Sequence, residues 1–250
     1  MSHLLTNRRI LRPAITPDRI DGLVQWLDAS EVSSMTFNGS AVSQWRDLTR
    51  NGRHYNQATG SFQPLWQADG INGRPAVVGD GLDDIMTCTP FASGTNYNFY
   101  VVAAFDAVIN RYVQFGGFFG CPSGDVAIND FRYDASANPA TGTRIPGGPA
   151  DMVLNPANGP YNPRSGVPAV YSYLRNGGLY RAKWTYGAMQ SVVGTGPYAT
   201  AATANDRLFQ NYFGPGSFRV AELVCYSRDL SDTEEASLSR YFQRKYGVGI

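Results

Sequence analysis

Residues 63–84 limit the folds available to this chain more than any other stretch. Two turn signals, Asp69-Gly70 and Asn72-Gly73, lie close together, and such pairs accept positive φ and reverse the chain tightly. An apolar run follows at residues 75–78, and Asp80-Gly81 ends it. The run is too short for a helix and is enclosed by residues that break regular structure. It therefore predicts a strand in an antiparallel sheet.

The composition agrees with an all-β chain. Charged residues make up only 16% of the 250 residues, aromatic residues reach 13%, and there are 27 glycines and 15 prolines. This balance favours a sheet protein with many turns over a coiled coil or a disordered chain, and one hydrophobic core is feasible at this length. The net charge of +1 gives no electrostatic signature of a nucleic-acid partner, and no apolar run is long enough for membrane insertion.

Three stretches carry a family resemblance. They are QPLWQADGINGRPAVVGDGLDD at residues 63–84, GLVQWLDAS at 22–30 and AELVCYSRDLSD at 221–232. Together they resemble the laminin-G-like, concanavalin A-like jelly-roll domains common in bacteriophage and bacterial surface proteins, over roughly residues 20 to 248. The chain departs from the pattern at Val78-Gly79, where an aromatic residue is expected before Asp-Gly. The resemblance implies a two-sheet antiparallel jelly-roll sandwich.

The chain read in order predicts many strands and one helix. Residues 23–27 form the first strand, with Val24 and Trp26 on one face, and the continuous apolar run at 98–105 predicts a strand buried on both faces. The other predicted strands are residues 42–48, 111–119, 126–133, 170–175, 179–184, 208–213 and 218–226. A short C-terminal helix is predicted from the capping box of Ser231 and Glu234 to a C-cap at Gly247.

Two segments are predicted to lie apart from this sandwich. Residues 1–20 form an N-terminal arm, either a loose terminus or a strap that binds a partner subunit through Arg8, Arg9, Leu11 and Arg12. Residues 21–250 form a single jelly-roll domain with a Pro/Gly-rich insert loop at 134–168, which contains seven of the 15 prolines. The insert is either a disordered excursion or an ordered loop that packs on a partner, through residues such as Tyr161, or shapes a binding rim.

The sequence gives little sign of catalysis. Only four glutamates are present, and none lies in the Glu-x-Asp-x-x-Glu strand of glycanases with this fold class. The two histidines and three scattered cysteines match no nucleophilic or zinc pattern. Glu222, in an apolar strand, is interpreted as a buried partner for an arginine or backbone donors, with a lone catalytic acid as the alternative. An aspartate pair stays open, but no catalytic residue is assigned.

Asp80, Asp83 and Asp84 are the candidate metal ligands. Calcium prefers several oxygen ligands on one loop, and laminin-G-like domains sometimes hold calcium at a sandwich edge. Aspartates that form turns or cap strands would explain the same triplet.

Three functions follow from these observations. The first is a non-enzymatic structural or adhesion protein of a phage particle, a capsid decoration or a tail or fibre component, which contacts other virion subunits and copies of itself. Its virion location, after synthesis in the host cytoplasm, is inferred from an N-terminus without a secretory signal. The alternative is a lectin-like module that recognises cell-surface glycan through exposed Tyr and Trp side chains. The third is a glycan-cleaving enzyme.

Overall fold

The computed structural model describes residues 15–89, 96–106, 132–134, 142–145, 152–154, 166–176, 179–185, 190–193, 206–211 and 214–250. Within these residues the protein is almost entirely antiparallel β-structure with a single α-helix, so the predicted all-β sandwich with one C-terminal helix is confirmed. No helix in this part of the chain combines the length and apolar character that a membrane crossing needs.

The strands are β1 (Leu23–Asp28), β2 (Met35–Asn38), β3 (Ala41–Trp45), β4 (Tyr55–Asn56), β5 (Leu65–Ile71), β6 (Arg74–Asp80), β7 (Met86–Cys88), β8 (Asn96–Phe105), β9 (Arg132–Asp134), β10 (Gly142–Ile145), β11 (Met152–Leu154), β12 (Ala169–Asn176), β13 (Leu179–Trp184), β14 (Gln190–Val193), β15 (Asp206–Leu208), β16 (Gln210–Asn211), β17 (Gly214–Pro215) and β18 (Ser217–Tyr226). The helix α1 spans Asp232–Tyr246, and short 3₁₀ turns occupy Pro17–Arg19, Val32–Ser34 and Gly60–Phe62.

The main sheet has 13 strands and runs in the order β14-β13-β12-β8-β18-β6-β5-β3-β4-β7-β15, with β1 on β18 and β2 on β3. The path curls, because distant strands pack against one another around a single enclosed core. Trp45 of β3, Met86 of β7, Phe99 of β8 and Leu223 of β18 all belong to this core. The two layers of the sandwich are thus joined by one continuous ladder of hydrogen bonds.

A second apolar cluster lies on the outer face of the sheet, beneath α1. Strand β8 contributes to both clusters, since Phe99 and Val101 face the enclosed core while Tyr100 and Val102 face the helix side. From Tyr97 to the end of β8 every residue is buried, as the continuous apolar run predicted. Leu238 and Phe242 are fully buried on the helix side of this layer.

The helix begins and ends as the sequence predicted. Ser231 and Glu234 form the capping box, and Gly247 ends the helix in the left-handed conformation at φ 73°. Strand β1 differs from the prediction. A bulge between Leu23 and Gln25 turns Val24 towards the enclosed core and Trp26 towards the helix side, so these two residues do not share a face.

The stretch that most constrained the fold forms the β5–β6 hairpin. Asn72 (φ 49°) and Gly73 (φ 75°) make its two-residue turn, as their pairing predicted. Asp69-Gly70 does not make a second turn; it lies inside β5, where the register shifts between Gln67 and Ile71. A Cβ at Gly70 would lie 2.3 Å from the Cβ of Ala76. Glycine is therefore needed here because β5 and β6 approach closely, and not because the chain reverses direction.

The sequence lacks the aromatic residue expected before Asp80-Gly81, but an aromatic ring from a distant part of the chain lies beside Gly79. A Cβ at Gly79 would lie 2.5 Å from Cδ1 of Phe209, because that ring covers the glycine. Phe209 adopts φ 70° and stacks on Phe218 with ring centroids 5.0 Å apart. This conformation separates β15 from β16, so the continuous strand predicted at 208–213 is wrong.

The insert at 134–168 contains structure of its own. Strands β9, β10 and β11 form a small antiparallel sheet in the order β11-β10-β9, so the insert includes secondary structure. The predicted strand at 111–119, most of that at 126–133 and the arm up to residue 14 lie outside the described residues. The predicted domain limits therefore stay predictions.

Candidate functional site

A polar cleft with a volume of about 350 Å³ opens beside the β5–β6 hairpin on the helix side of the sheet. Its lining comes from the hairpin, from the end of β8 and the residue after it, from the segment before β12, and from β18. The described lining residues are Asp69, Gly70, Ile71, Asn72, Gly73, Ala104, Asp106, Gly166, Pro168 and Arg219. Carboxylate, guanidinium, amide and backbone groups thus meet in one concave site that belongs to four separated segments of the chain.

Arg219 is the central group of this cleft. It lies between Phe218 and Val220, which face the enclosed core, and therefore projects to the opposite face of β18. Its Nε donates to Oδ1 of Asp106 at 2.6 Å, and one terminal nitrogen donates to the carbonyl oxygen of Gly70 at 3.1 Å. The Arg219 and Asp106 side chains are 36% and 23% exposed, so both reach solvent from a partly buried position.

The hairpin wall of the cleft is held by the end of α1. The side-chain amide of Asn72 donates to the carbonyl oxygen of Tyr246 at 2.7 Å, and Nε of Arg74 donates to the carbonyl oxygen of Lys245 at 3.1 Å. These two bonds satisfy carbonyl groups that a helix C-terminus leaves without intrahelical partners. Asp69 accepts a hydrogen bond from the backbone N–H of Gly73 at 3.0 Å and is exposed at the rim. The cleft therefore has a rigid wall before any ligand binds.

The sequence did not predict this site. Asp69 and Asn72 were interpreted only as turn residues, and neither Asp106 nor Arg219 lies in a motif. Gly166 and Pro168 form the last part of the Pro/Gly-rich insert, for which a binding rim was one of the two interpretations. Both residues are among those that line the cleft, and the binding-rim interpretation stays a prediction. The one usable signal was an arginine in an apolar strand, since such a charge must find partners.

Asp80, Asp83 and Asp84 come together as predicted, each offering a carboxylate oxygen within 4.8 Å of the others. They also form the turn after β6. The backbone N–H of Leu82 donates to Asp80 at 2.8 Å, and that of Asp80 donates to Asp84 at 2.8 Å. Burial, together with the neighbouring carboxylates, raises the pKa of Asp84 to about 6. These residues could hold calcium, whose binding here stays a prediction.

Glu222 lies in a buried polar network between the sheet and α1. Its carboxylate is fully buried and accepts hydrogen bonds from Nε1 of Trp26 at 2.7 Å and from the hydroxyls of Tyr241 at 3.0 Å and Tyr246 at 2.8 Å. Nζ of Lys245 donates to it at 2.8 Å. Lys245 also pairs with Asp28, which faces Glu222 across the β1–β18 ladder.

Through these hydrogen bonds Glu222 joins the helix α1 to the sheet. Burial raises the pKa of Glu222 to about 7, the nearby Asp28 carboxylate adds to the rise, and Lys245 opposes it. The prediction of a buried, partnered carboxylate agrees with these contacts, although the cation is a lysine rather than an arginine. The Glu222 side chain is 0% exposed, so its carboxylate does not face solvent in this arrangement.

The residues predicted to bind partner subunits, Arg8, Arg9, Leu11, Arg12 and Tyr161, lie outside the described residues. The partner contacts assigned to them stay predictions.

No protein-family model matches this chain, and no curated protein is similar to it in sequence. Solved structures share its fold. Domain 4 of AbnA, a GH43 extracellular arabinanase from Geobacillus stearothermophilus solved with arabinotriose, is 13% identical with a TM-score of 0.62, and the match covers 85% of this chain and 95% of that one.

Two further solved proteins are similar over part of their length. An arabinofuranosidase solved with arabinofuranosyl-α-1,2-xylobiose is 14% identical with a TM-score of 0.51, covering 79% of this chain and 49% of that one. A sialidase from Trypanosoma rangeli is 12% identical with a TM-score of 0.50, covering 90% and 33%. The chain thus spans half or less of these two enzymes. At such identities the likeness shows the shared fold.

These comparisons contradict the prediction of a non-enzymatic protein. The three solved chains named above come from an arabinanase, an arabinofuranosidase and a sialidase, so the absence of a Glu-x-Asp-x-x-Glu strand was no ground for setting glycan cleavage aside. The same chains give no link to a phage particle, and the virion location stays a prediction. What the comparisons show is a jelly-roll-like antiparallel fold that also occurs in carbohydrate-active proteins.

Proposed function

We propose that this chain is a carbohydrate-binding domain and that the cleft around Arg219 is its binding site. Domain 4 of the arabinanase, which was solved with arabinotriose, shares its fold with 85% of this chain. That correspondence supports a sugar as the ligand. The location of the site comes from the cleft itself.

The chemistry of the cleft suits a sugar. Each hydroxyl of a sugar both donates and accepts hydrogen bonds, so its site needs both kinds of group close together. Asp69 and Asp106 accept, Arg219 donates, and the side-chain amide of Asn72 offers both an acceptor and a donor. A volume of about 350 Å³ lies at the lower end of the range of roughly 300–1,000 Å³ for small-molecule sites.

The observation that carries this proposal is the fixed position of Arg219. Its bonds to Asp106 and to the Gly70 carbonyl join β18, β8 and β5, and this preorganisation reduces the ordering cost of binding. Among the described lining residues no aromatic ring is available for stacking, so recognition depends on hydrogen bonds. We therefore expect modest affinity, with Kd in the range of about 10⁻⁵ to 10⁻³ M.

Calorimetric titration of neutral oligosaccharides, beginning with arabinotriose, tests the proposal. Arg219→Ala and Asp69→Ala are each expected to weaken binding about tenfold or more, since each removes charge-assisted hydrogen bonds. Arg50→Ala is the matched control, because Arg50 is exposed and is not among the residues that line the cleft. If wild-type protein binds a sugar and all three variants bind it equally, the site lies elsewhere.

Glycan cleavage is a second candidate function, favoured by one specific observation. Glycosidases use two carboxyl groups on either side of the scissile bond, and Asp69 and Asp106 both line the cleft. The test is release of reducing ends from arabinan and from sialosides by wild-type protein, compared with Asp69→Asn and Asp106→Asn. Loss of a measurable wild-type activity in both variants supports cleavage here, and an activity unchanged in both places it at another site.

A further inference from the structure

We propose that Lys245 and Arg74 are positioning residues for the Arg219 cleft, because they hold the β5–β6 hairpin against the last turn of α1. This inference rests on the proposed carbohydrate-binding function and adds to its site two residues that act without contacting the sugar. Neither Lys245 nor Arg74 is among the described residues that line the cleft. Both act through Asn72, the hairpin residue that does line it.

Two consecutive residues at the end of α1 each contact both the buried network and the hairpin. The side chains of Lys245 and Tyr246 donate to the buried carboxylate of Glu222, each at 2.8 Å. The carbonyl oxygen of Tyr246 accepts from the Asn72 amide at 2.7 Å. The carbonyl oxygen of Lys245 accepts from Nε of Arg74 at 3.1 Å. The last turn of α1 is therefore bonded to β18 and to the hairpin at once, so a shift of this turn reaches the wall of the cleft.

The Lys245 side chain fixes the position of this turn. Its ammonium group contacts Glu222 and also pairs with Asp28 of β1, so it joins the helix to two neighbouring strands. The Lys245 side chain is only 18% exposed, so solvent screens these ionic contacts weakly. Helix ends fray most readily, and without the ammonium group the last turn loses its ionic link to the sheet.

Asn72 is the residue through which this support reaches the ligand site. A carbonyl oxygen can only accept, so the end of the Asn72 amide that faces the Tyr246 carbonyl is the NH₂ group. Its Oδ1 is left as an acceptor for a sugar hydroxyl. Arg74, which directly follows the turn, adds a cation at the C-terminal end of α1, where the helix dipole favours positive charge. A hairpin that is held in place beforehand lowers the ordering cost of binding.

Titration calorimetry with arabinotriose, or with another neutral oligosaccharide that the wild-type protein binds, tests this inference. Lys245→Met should weaken binding about three- to tenfold and Arg74→Met about threefold, since the hairpin must then be ordered when the sugar binds. In an Asn72→Gly background, which accepts the φ of 49°, Lys245→Met should cause little further loss. Arg74→Met leaves the buried network intact, so it decides the question if Lys245→Met does not fold.

Two controls separate positioning from a general loss of stability. Ser231→Ala removes the cap at the opposite end of α1, and Arg244→Met makes the matched change at an exposed position of the same turn. Each should keep the affinity of the folded protein within about twofold of wild type. Wild-type affinity in Lys245→Met or in Arg74→Met overturns the role of that residue, as does equal weakening by Lys245→Met and Ser231→Ala. A full further loss in the Asn72→Gly background overturns the route through Asn72.

A measurement without ligand separates this inference from the proposed function. The ¹⁵N relaxation of the Asn72 side-chain amide reports how firmly that group is held. Its order parameter should be lower in Lys245→Met than in wild type or Ser231→Ala, and an unchanged order parameter overturns the positioning role whether or not a sugar binds. The expected fall in the order parameter, together with no sugar binding by wild-type protein, overturns the proposed function alone.

Discussion

Removing the cation from the buried network beneath α1 should destabilise the protein in a pH-dependent way. Lys245 contacts both Glu222 and Asp28, whose side chains are 0% and 4% exposed. Lys245→Met keeps the length of the side chain but leaves two buried carboxylates without their positive partner. Breaking a buried pair in this way typically costs about 3–5 kcal/mol when the remaining charge cannot be neutralised.

Glu222 can be neutralised by protonation, and this sets the pH dependence. Burial raises its pKa from 4.5 to about 7 in the folded protein. A raised carboxyl pKa contributes stability that is fully present below about 4.5 and is lost as the pH rises through about 7. The rise in the Glu222 pKa from 4.5 to about 7 corresponds to roughly 3 kcal/mol of folding stability, at about 1.4 kcal/mol per pKa unit. Lys245→Met removes a contact that lowers the pKa of Glu222. The loss in free energy of unfolding should therefore be largest at pH 8 and much smaller at pH 5.

Urea denaturation at pH 5 and pH 8 gives the free energy of unfolding for each variant. Glu222→Gln should remove this group's part of the pH dependence, and the double variant Glu222→Gln, Lys245→Met should lose less at pH 8 than the two single losses added together. Arg244→Met is the control because Arg244 is exposed, and it should change the free energy by no more than about 0.5 kcal/mol. A Lys245→Met loss that is equal at both pH values would show that the charge of Glu222 does not set the pH dependence.

Three further predictions follow from the packing, the helix cap and the acidic turn. Gly79→Ala should cost about 1–3 kcal/mol in urea denaturation, because its Cβ would lie 2.5 Å from the Phe209 ring; an unchanged midpoint would show that the ring moves away easily. Ser231→Ala should lower the free energy of unfolding by about 1 kcal/mol through loss of the helix cap, and no change in the melting temperature would contradict this. Millimolar calcium should raise the melting temperature of wild-type protein but not of Asp83→Asn if the acidic turn binds it; equal shifts in both would assign the effect to another site.

The sequence predicted the parts of the fold that depend on local signals. Strand β13 begins and ends where alternation placed it, at Leu179 and Trp184, and the capping box at Ser231 fixed the start of α1. The errors arose where tertiary contacts override local preference. Gly70 resembles a turn glycine but is needed for the close approach of its strand to Ala76, and Phe209 adopts positive φ at a point where its ring covers Gly79.

The candidate site could not be predicted from the sequence for the same reason. Arg219 and Asp106 are 113 positions apart, and they meet only because β18 pairs with β8 in the register that places Phe218 opposite Phe105. The environment of Glu222 was easier to predict from the sequence, since a carboxylate in an apolar strand requires partners. The identity of those partners, on β1 and α1, depends on how the helix packs across the sheet.

A nuclear magnetic resonance titration with arabinotriose shows whether the protein binds a sugar and where on the protein it binds. Backbone amide shifts of ¹⁵N-labelled protein report where a weak ligand binds. Carbohydrate binding in the Arg219 cleft predicts saturable shifts concentrated at Gly70, Gly73, Asp106 and Gly166, which line the cleft, and their loss in Arg219→Ala. Saturable shifts confined to residues away from the cleft, or none at millimolar arabinotriose and other neutral oligosaccharides, would contradict the account.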